Sequence, residues 1–344
     1  MKRLIIENSG QEVFDFISQY CNFDDNSTFS IKTRSKFNIE NIEVNKYKNI
    51  VNLRKINDIR RINKFLEAVN YKISESGFFI GKVETMELRK RRLINKYLPG
   101  LNYIYVFLDF IFKRIFPKLP FTKKIYFFIT QGRNRVISKA ETFGRLYACG
   151  FSYVDEKIFG NRLYFVFKKV KKPCFDENPS YGPVFKMKRI GKNGKLVYVY
   201  KFRTMYPYSE YLQDFIKEKN GFSSNGKLAN DMRVTSWGKF MRKYWLDELP
   251  QLINVLRGEM NIVGVRPLSE SFMKEFPDDI KIKRMKYKPG CLPPYVALLK
   301  QNVKEYIESE RTYLLEKEKH PYYTDIKYFT KCIYNITTNK IRSA

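Results

Sequence analysis

Short apolar runs alternate with helical spacings through the first half of the chain. The run Ile50-Val51-Asn52-Leu53 predicts a short buried strand, Ile59 to Val69 has the spacing of a helix, and Gly77 to Val83 predicts the next strand. Ser138-Lys139-Ala140-Glu141 has the pattern of a capping box opening a helix that stops near Cys149-Gly150-Phe151. Arg162 to Phe167 then reads as a further strand, and strands alternating with helices favour a mostly parallel sheet. Leu101 to Phe112 is the most apolar stretch. It is interrupted by Asp109 and closed by Lys113-Arg114, too short and too charged for a span of about 18 apolar residues. It predicts either an interfacial helix with a basic flank or an ordinary buried helix. The start, Met1-Lys2-Arg3 before Leu4-Ile5-Ile6, lacks the pattern of a signal peptide.

The strand GFFIG and the helix AETFGRLYACGF resemble the later part of a Rossmann-type methyltransferase. The resemblance implies an α/β, Rossmann-like, methyltransferase-like remnant over residues 1–172. The Gly-rich cofactor loop of such a fold would lie in the first 50 residues, where Gly10 stands alone. The expectation is therefore a cofactor-free relic or docking module. The Pro-rich and polar stretch from Lys171 to Ser180 reads as a linker to a second domain, residues 173–344.

Beyond the linker the pattern changes to a hairpin and short helices. Val184 to Ile190 and Leu196 to Phe202 are β-type runs joined by Gly191-Lys192-Asn193-Gly194, a strong turn signal. Thr235 or Ser236 caps a predicted helix with apolar residues Trp237, Phe240, Met241 and Tyr244 on one stripe and Arg242 on another face. Leu246, Leu249, Ile253 and Leu256 continue a helical spacing. Pro250 belongs in a first turn, so this helix is predicted to start near Asp247. Asp247 and Glu248 would then lie at the positive end of its macrodipole and stay ionised. An ionised aspartate can attack phosphorus and a neighbouring glutamate can hold Mg²⁺, but an acidic helix cap reads equally well from spacing alone. Arg257 to Pro267 is a Gly-rich turn that presents Arg266 on a constrained loop, suited to phosphate or to a structural salt bridge.

Composition sharpens this in one respect. Lys plus Arg number 65 against 35 acidic residues, a formal net charge of +30 that attracts polyanions, whether nucleic acid, anionic membrane or phosphorylated substrates. Seven of those basic residues and no acidic one lie between Pro183 and Met205, which suits phosphate or lipid headgroups, or plain solvation. The five cysteines are scattered and accompanied by one histidine, His320, so zinc sites, disulfide frameworks and His-based triads are excluded as expectations.

The stretches GPVFKMKRIGKNGKLVYVYKFRTM, NDMRVTSWGKFMRKYWLDELPQLINVLRGEMNIVGVRP and KYKPG, in this order, resemble the bacterial sugar transferases of the monotopic phosphoglycosyl transferase superfamily. Thr324 to Ile336 is similar to that family's closing helix. The resemblance implies a C-terminal α+β domain with a basic hairpin. That domain would transfer a phosphosugar from a UDP-sugar to a polyprenyl phosphate and release UMP, beginning a lipid-linked surface glycan. It implies Asp247 as the residue carrying a covalent phosphosugar, Glu248 as the Mg²⁺ ligand, and Lys201, Arg203, Arg242, Arg266 and Pro267 around the phosphates. It also implies the cytoplasmic face of a bacterial inner membrane, peripheral or monotopic, with no nucleic-acid partner. A homo-oligomer or downstream glycosyltransferases are the protein partners it admits. A non-catalytic membrane adaptor and a basic nucleic-acid-binding protein are the competing classes. Three departures stand out: no long apolar helix precedes GPVF, Val265 stands where a proline is common, and Cys291 to Tyr295 replaces the usual continuation after KPG.

Overall fold

The computed structural model describes residues 1–174, 181–221, 230–300 and 302–343. The predicted linker falls partly on 175–180, outside the described residues. The chain is mixed α/β and forms two compact units, Met1–Pro179 with Tyr206–Lys219, and Ser180–Met205 with Asn220–Ala344.

In the first unit five strands form one sheet: β1 (Thr28–Ile31), β2 (Asn49–Lys55), β3 (Phe78–Val83), β4 (Phe151–Phe159) and β5 (Arg162–Lys169), in the order β1-β2-β3-β5-β4. β1, β2 and β3 are parallel, and β5 runs antiparallel between β3 and β4. The predicted strands at 50–53, 77–83 and 162–167 correspond to β2, β3 and β5. β1 and β4 have weaker apolar patterns and the sequence did not single them out. The predicted helix at 59–69 is Ile62–Lys72, and Ser138 caps Lys139–Ala148 by accepting from the Glu141 amide. The helices Lys2–Ser9 and Gln11–Ser18 cover one face through Ile5, Val13, Phe16 and Ile17, packed on Val51, Ile80 and Val166. On the other face Phe143 meets Phe165 and Phe167 edge-on, with ring centroids 6.4 and 5.0 Å away. The segment Tyr206–Lys219 packs there too: Phe215 lies 6.1 Å from the Phe143 ring, and a Cβ on Gly144 would come within 2.3 Å of the Tyr208 carbonyl oxygen.

The segment predicted as interfacial or buried is a helix, Leu101–Phe110, running into a π-helical turn, Ile111–Ile115, and followed by the helix Pro120–Thr130. Its apolar side chains are largely exposed, so the ordinary buried helix is ruled out. No helix among the described residues is long and apolar enough to cross a membrane.

The second unit opens on the hairpin β6 (Val184–Ile190) and β7 (Leu196–Phe202), in the register that the Asn193-Gly194 turn predicts. β8 (Asn261–Val263) and β9 (Gly290–Leu292) form a short parallel pair. Its core contains Trp245, Val263, Val265, Leu268 and Tyr295, closed by Tyr313, Leu314, Tyr328 and Cys332. These last four come from the helices Val303–Lys319 and Pro321–Thr337, the first of which starts with a full capping box of Asn302 and Glu305.

Candidate active site

A cleft of about 420 Å³ in the second unit is lined by residues of β6 and β7, the turn holding Asp247 and Glu248, the loop of Arg266 and Pro267, and Gly290 to Tyr295. Lys201, Arg242, Asp247, Glu248, Arg266 and Pro267 all line it, joined by Arg189, which sequence reasoning did not single out. Arg203 does not line it. Its Nε donates to the Gly182 carbonyl at 3.1 Å and its guanidinium lies over the Phe185 ring.

The backbone around the two carboxylates departs from the expected helix start. Thr235 caps the helix Ser236–Lys243, accepting from the Gly238 amide at 2.7 Å. The chain then turns through Trp245, whose φ of 57° is in the left-handed region that a tryptophan adopts only under tertiary constraint. Leu246–Gln251 follows as 3₁₀ helix, and the α-helix proper, Leu252–Leu256, is five residues long. Pro250 lacks the N–H that a continuous α-helix would need one turn further in, so the α-helix begins after it. Asp247 and Glu248 therefore sit in a tight turn ahead of a very short helix. A side-chain clamp fixes that turn: Asn254, fully buried, accepts from the Tyr200 amide at 3.2 Å and donates to the Tyr198 carbonyl at 2.8 Å. That clamp ties the turn to β7 and brings Glu248 against Lys201.

The apolar stripes that the periodicity predicts are only partly turned in: Met241 is buried and Tyr244 and Leu246 are half-buried, but the others face outward. Trp237 and Phe240 stack on each other at 5.2 Å while largely exposed, and Leu249, Leu252, Ile253 and Leu256 are exposed as well, Leu256 to 88%. The buried side of the same turn and helix is mostly polar: Asp247, Gln251 and Asn254, with Pro250 among them. Periodicity identifies a face, and the requirement to enclose the carboxylates reverses which face is turned in.

Burial dominates the electrostatics. It pushes the Glu248 carboxyl above the ordinary glutamate range, although Lys201 in direct contact holds it back. The expectation that a helix terminus keeps Glu248 readily ionised is thus corrected: desolvation outweighs it. Burial likewise lowers Lys201, with Glu248 opposing, and lowers Arg242, whose Nε donates to Thr204 Oγ1 at 3.0 Å. Arg266 is raised above its ordinary value, with Tyr295 the foremost cause, and donates to the Tyr295 hydroxyl at 3.0 Å. Cys291 also lines the cleft, but burial pushes its thiol up to about 12, so it stays protonated and is a poor nucleophile.

Two supports had no signal in the sequence. Ser343 Oγ lies 2.7 and 2.6 Å from the two oxygens of Asp247 and donates to them, while the Ser343 amide donates to the Arg242 carbonyl at 2.9 Å. The other is a pair of buried residues that holds the backbone of Arg266. Glu310 accepts from its amide at 3.1 Å, Arg284 donates to its carbonyl, and the two are themselves paired at 3.3 Å. The close approach of β8 and β9 completes the loop: a Cβ on Gly290 would fall 2.0 Å from the Gly264 nitrogen.

Comparison with known proteins bears on this same region. The family described as bacterial sugar transferase matches residues 176–339. Undecaprenyl-phosphate galactose phosphotransferase of Salmonella typhimurium is 41% identical over 115 residues, 32% of this chain and 24% of that protein. Galactosyl transferase CpsE of Streptococcus agalactiae is 35% identical over 129 residues, 37% of this chain and 28% of that protein. The exopolysaccharide production protein ExoY of Rhizobium meliloti is 41% identical over 108 residues, 30% of this chain and 47% of that protein. The chain thus spans about a quarter of the length of the first two relatives and about half of the third. The matched segment contains the hairpin, the paired carboxylates, the Arg266 loop and the closing helices, and over these residues the chain is similar to the bacterial sugar transferases.

Proposed function

We propose that this chain is a phosphoglycosyl transferase that moves a phosphosugar from a UDP-sugar to a polyprenyl phosphate at the cytoplasmic face of the inner membrane. The observation that carries the reading is the buried Asp247–Glu248 pair in a cleft with four cationic side chains, Arg189, Lys201, Arg242 and Arg266. In the first step an Asp247 oxygen attacks the sugar-bearing phosphorus. The bond from that phosphorus to the bridging oxygen breaks and UMP leaves with the electron pair. In the second step a phosphate oxygen of the polyprenyl phosphate attacks the same phosphorus, which releases the Asp247 carboxylate and yields the lipid diphosphosugar. Both partners of each step are anionic, so cations fixed in a cleft stabilise the transition state by lowering that repulsion. Ser343 holds the Asp247 carboxylate in one orientation before the attack.

Mg²⁺ takes oxygen ligands and commonly uses one or two carboxylates with substrate phosphates. The cleft fits that demand: Glu248 faces it, and Gln251, hydrogen-bonded to Glu248, has a buried Oε1 with no hydrogen-bond partner. Glu248 would hold the ion, which supplies charge neutralisation at the diphosphate. The exposed apolar row Leu249, Leu252, Ile253 and Leu256 beside the cleft suits a lipid co-substrate. For residues 1–172 we read a Rossmann-like remnant of methyltransferase type. Three parallel strands followed by an antiparallel pair, with β5 inserted between β3 and β4, support that reading.

The test is UMP release from a panel of UDP-sugars with polyprenyl phosphate and Mg²⁺, alongside mass spectrometry of the protein without the lipid acceptor. The expected result is UMP formation, a phosphosugar adduct on the wild-type chain, and loss of both in Asp247→Asn. Undiminished turnover in Asp247→Asn overturns the covalent mechanism.

A further inference from the structure

The segment from Leu98 to Thr130 in the first unit has its polarity reversed. On the helix Leu101–Phe110 the residues turned inward include the two polar ones, Asn102 and Asp109. Asn102 donates to the Ile94 carbonyl at 3.2 Å, and Asp109 accepts from Arg89 at 2.6 and 2.8 Å. Arg114, in the π-helical turn, is also buried, donating to the Val136 carbonyl at 3.0 Å and pairing with Glu141. The outward face is apolar and aromatic: Leu101, Tyr103, Ile104, Phe107 and Leu108 are each more than half exposed. The helix Pro120–Thr130 repeats this arrangement. Thr122 and Tyr126 turn inward, while Phe121 is 91% and Phe128 87% exposed, with Ile125 and Ile129 beside them. A protein in water buries such side chains first, and monomeric surfaces seldom carry so large a contiguous apolar patch.

We propose that these two helices form a membrane-docking element that dips into one leaflet of an anionic bilayer. The occupant is identified by three features. An outward apolar face on both helices matches acyl chains. Exposed Lys96, Lys118, Lys123 and Lys124 flank it and match anionic headgroups, where each lysine near the surface strengthens binding roughly fivefold. Length decides between crossing and dipping. Leu101 to Ile115 covers about 22 Å at about 1.5 Å per residue, short of the roughly 30 Å hydrocarbon core. Pro117 and Pro120 then break the helix and allow the chain to return. The ion pair of Arg89 with Asp109 anchors the base of the element to the sheet unit. The proposal rests on this surface alone. It supplies the lipid contact that the proposed reaction needs, but in a different part of the sequence from the segment preceding β6.

The test uses the full chain and flotation with vesicles of phosphatidylglycerol and phosphatidylethanolamine, against phosphatidylcholine vesicles. Wild type is expected to float with the anionic vesicles, and Phe121→Glu with Phe128→Glu to weaken binding by about tenfold or more, with an unchanged circular dichroism spectrum. Lys123→Glu with Lys124→Glu is expected to weaken anionic-vesicle binding and to leave the phosphatidylcholine level unchanged. Undiminished flotation of the phenylalanine variant overturns the proposal. So does a concentration-dependent dimer, seen by sedimentation, that the same variant abolishes while wild type ignores vesicles, since the face would then join two copies of the chain. UMP release measured in detergent separates the two readings: the phenylalanine variant keeps it if only the docking element is affected.

Discussion

Replacing Lys201 by Met isolates the electrostatic balance at the floor of the cleft. The Lys201 and Glu248 side chains are 13% and 10% exposed and in direct contact. Methionine keeps most of the apolar stem but leaves Glu248 buried without its nearest counter-charge. Breaking such a pair from one side costs about 3–5 kcal/mol, because the remaining charge is uncompensated. The pH dependence has a defined sign. Burial already raises the Glu248 carboxyl and Lys201 opposes that rise, so removing Lys201 raises it further. A native state whose carboxyl is raised binds a proton that the unfolded chain has released, so its stability falls as pH climbs from the ordinary glutamate value through the raised one. The penalty of Lys201→Met therefore grows from pH 5 to pH 8. Glu248→Gln strands Lys201 instead, whose amine burial already lowers, so that penalty is relieved only toward alkaline pH. The double variant strands neither charge and is expected to be more stable than the sum of the single effects predicts. Both tryptophans, Trp237 and Trp245, lie in the second unit, so urea unfolding followed by tryptophan fluorescence reports that unit. A Lys201→Met penalty equal at pH 5 and pH 8, or strictly additive single variants, refutes the reasoning.

Ser343→Ala removes a hydroxyl bonded to a buried carboxylate, and the second unit is expected to lose about 1.5–3 kcal/mol in the same urea assay. A loss below about 0.5 kcal/mol, the size of a typical surface change, would mean that the hydroxyl does not hold Asp247. Gly290→Ala drives a Cβ to 2.0 Å from the Gly264 nitrogen, so β8 and β9 must separate. The expected cost is about 3 kcal/mol, the upper end for overpacking, with a parallel loss of UMP release. Wild-type stability in that variant would place the Arg266 loop elsewhere.

Local chemistry was legible from the sequence, whereas long-range partners and environment were not. The hairpin register follows from Asn193-Gly194, and the start of Ser236–Lys243 follows from Thr235, because both depend on a few adjacent residues. β2, β3 and β5 were visible as dense apolar runs. The contact of Ser343 with Asp247 spans 96 residues and a lone serine carries no pattern that announces it. Packing of Tyr206–Lys219 on Phe143 was equally silent, since Phe215 and Leu212 look like any helix-spaced apolar pair. The reversed faces are the more instructive case. Spacing correctly gave helices at Leu101 and Trp237, yet the rule that apolar faces turn inward presumes water outside. Buried polar side chains with specific partners, Arg89 with Asp109 and Asn254 with the Tyr198 carbonyl, mark the inward side of each segment, and those partners appear only in three dimensions.

The short helix after Gln251 changes how the paired carboxylates must be supported. A macrodipole comparable to half a charge needs aligned peptide units over several turns, and Leu252–Leu256 provides little more than one. The support must then come from side chains, and the cleft contains them in excess: Arg189, Lys201, Arg242 and Arg266 against Asp247 and Glu248. The carboxylates alone would repel an anionic substrate. Four cations with no carboxylate would attract a diphosphate but lack the nucleophile of the proposed mechanism. Two positive charges remain in formal excess after the two carboxylates are matched, and that excess suits an anionic substrate. Of the hairpin's basic residues, Arg189 and Lys201 line the cleft, while Lys186 and Lys188 remain on the ribbon outside its lining.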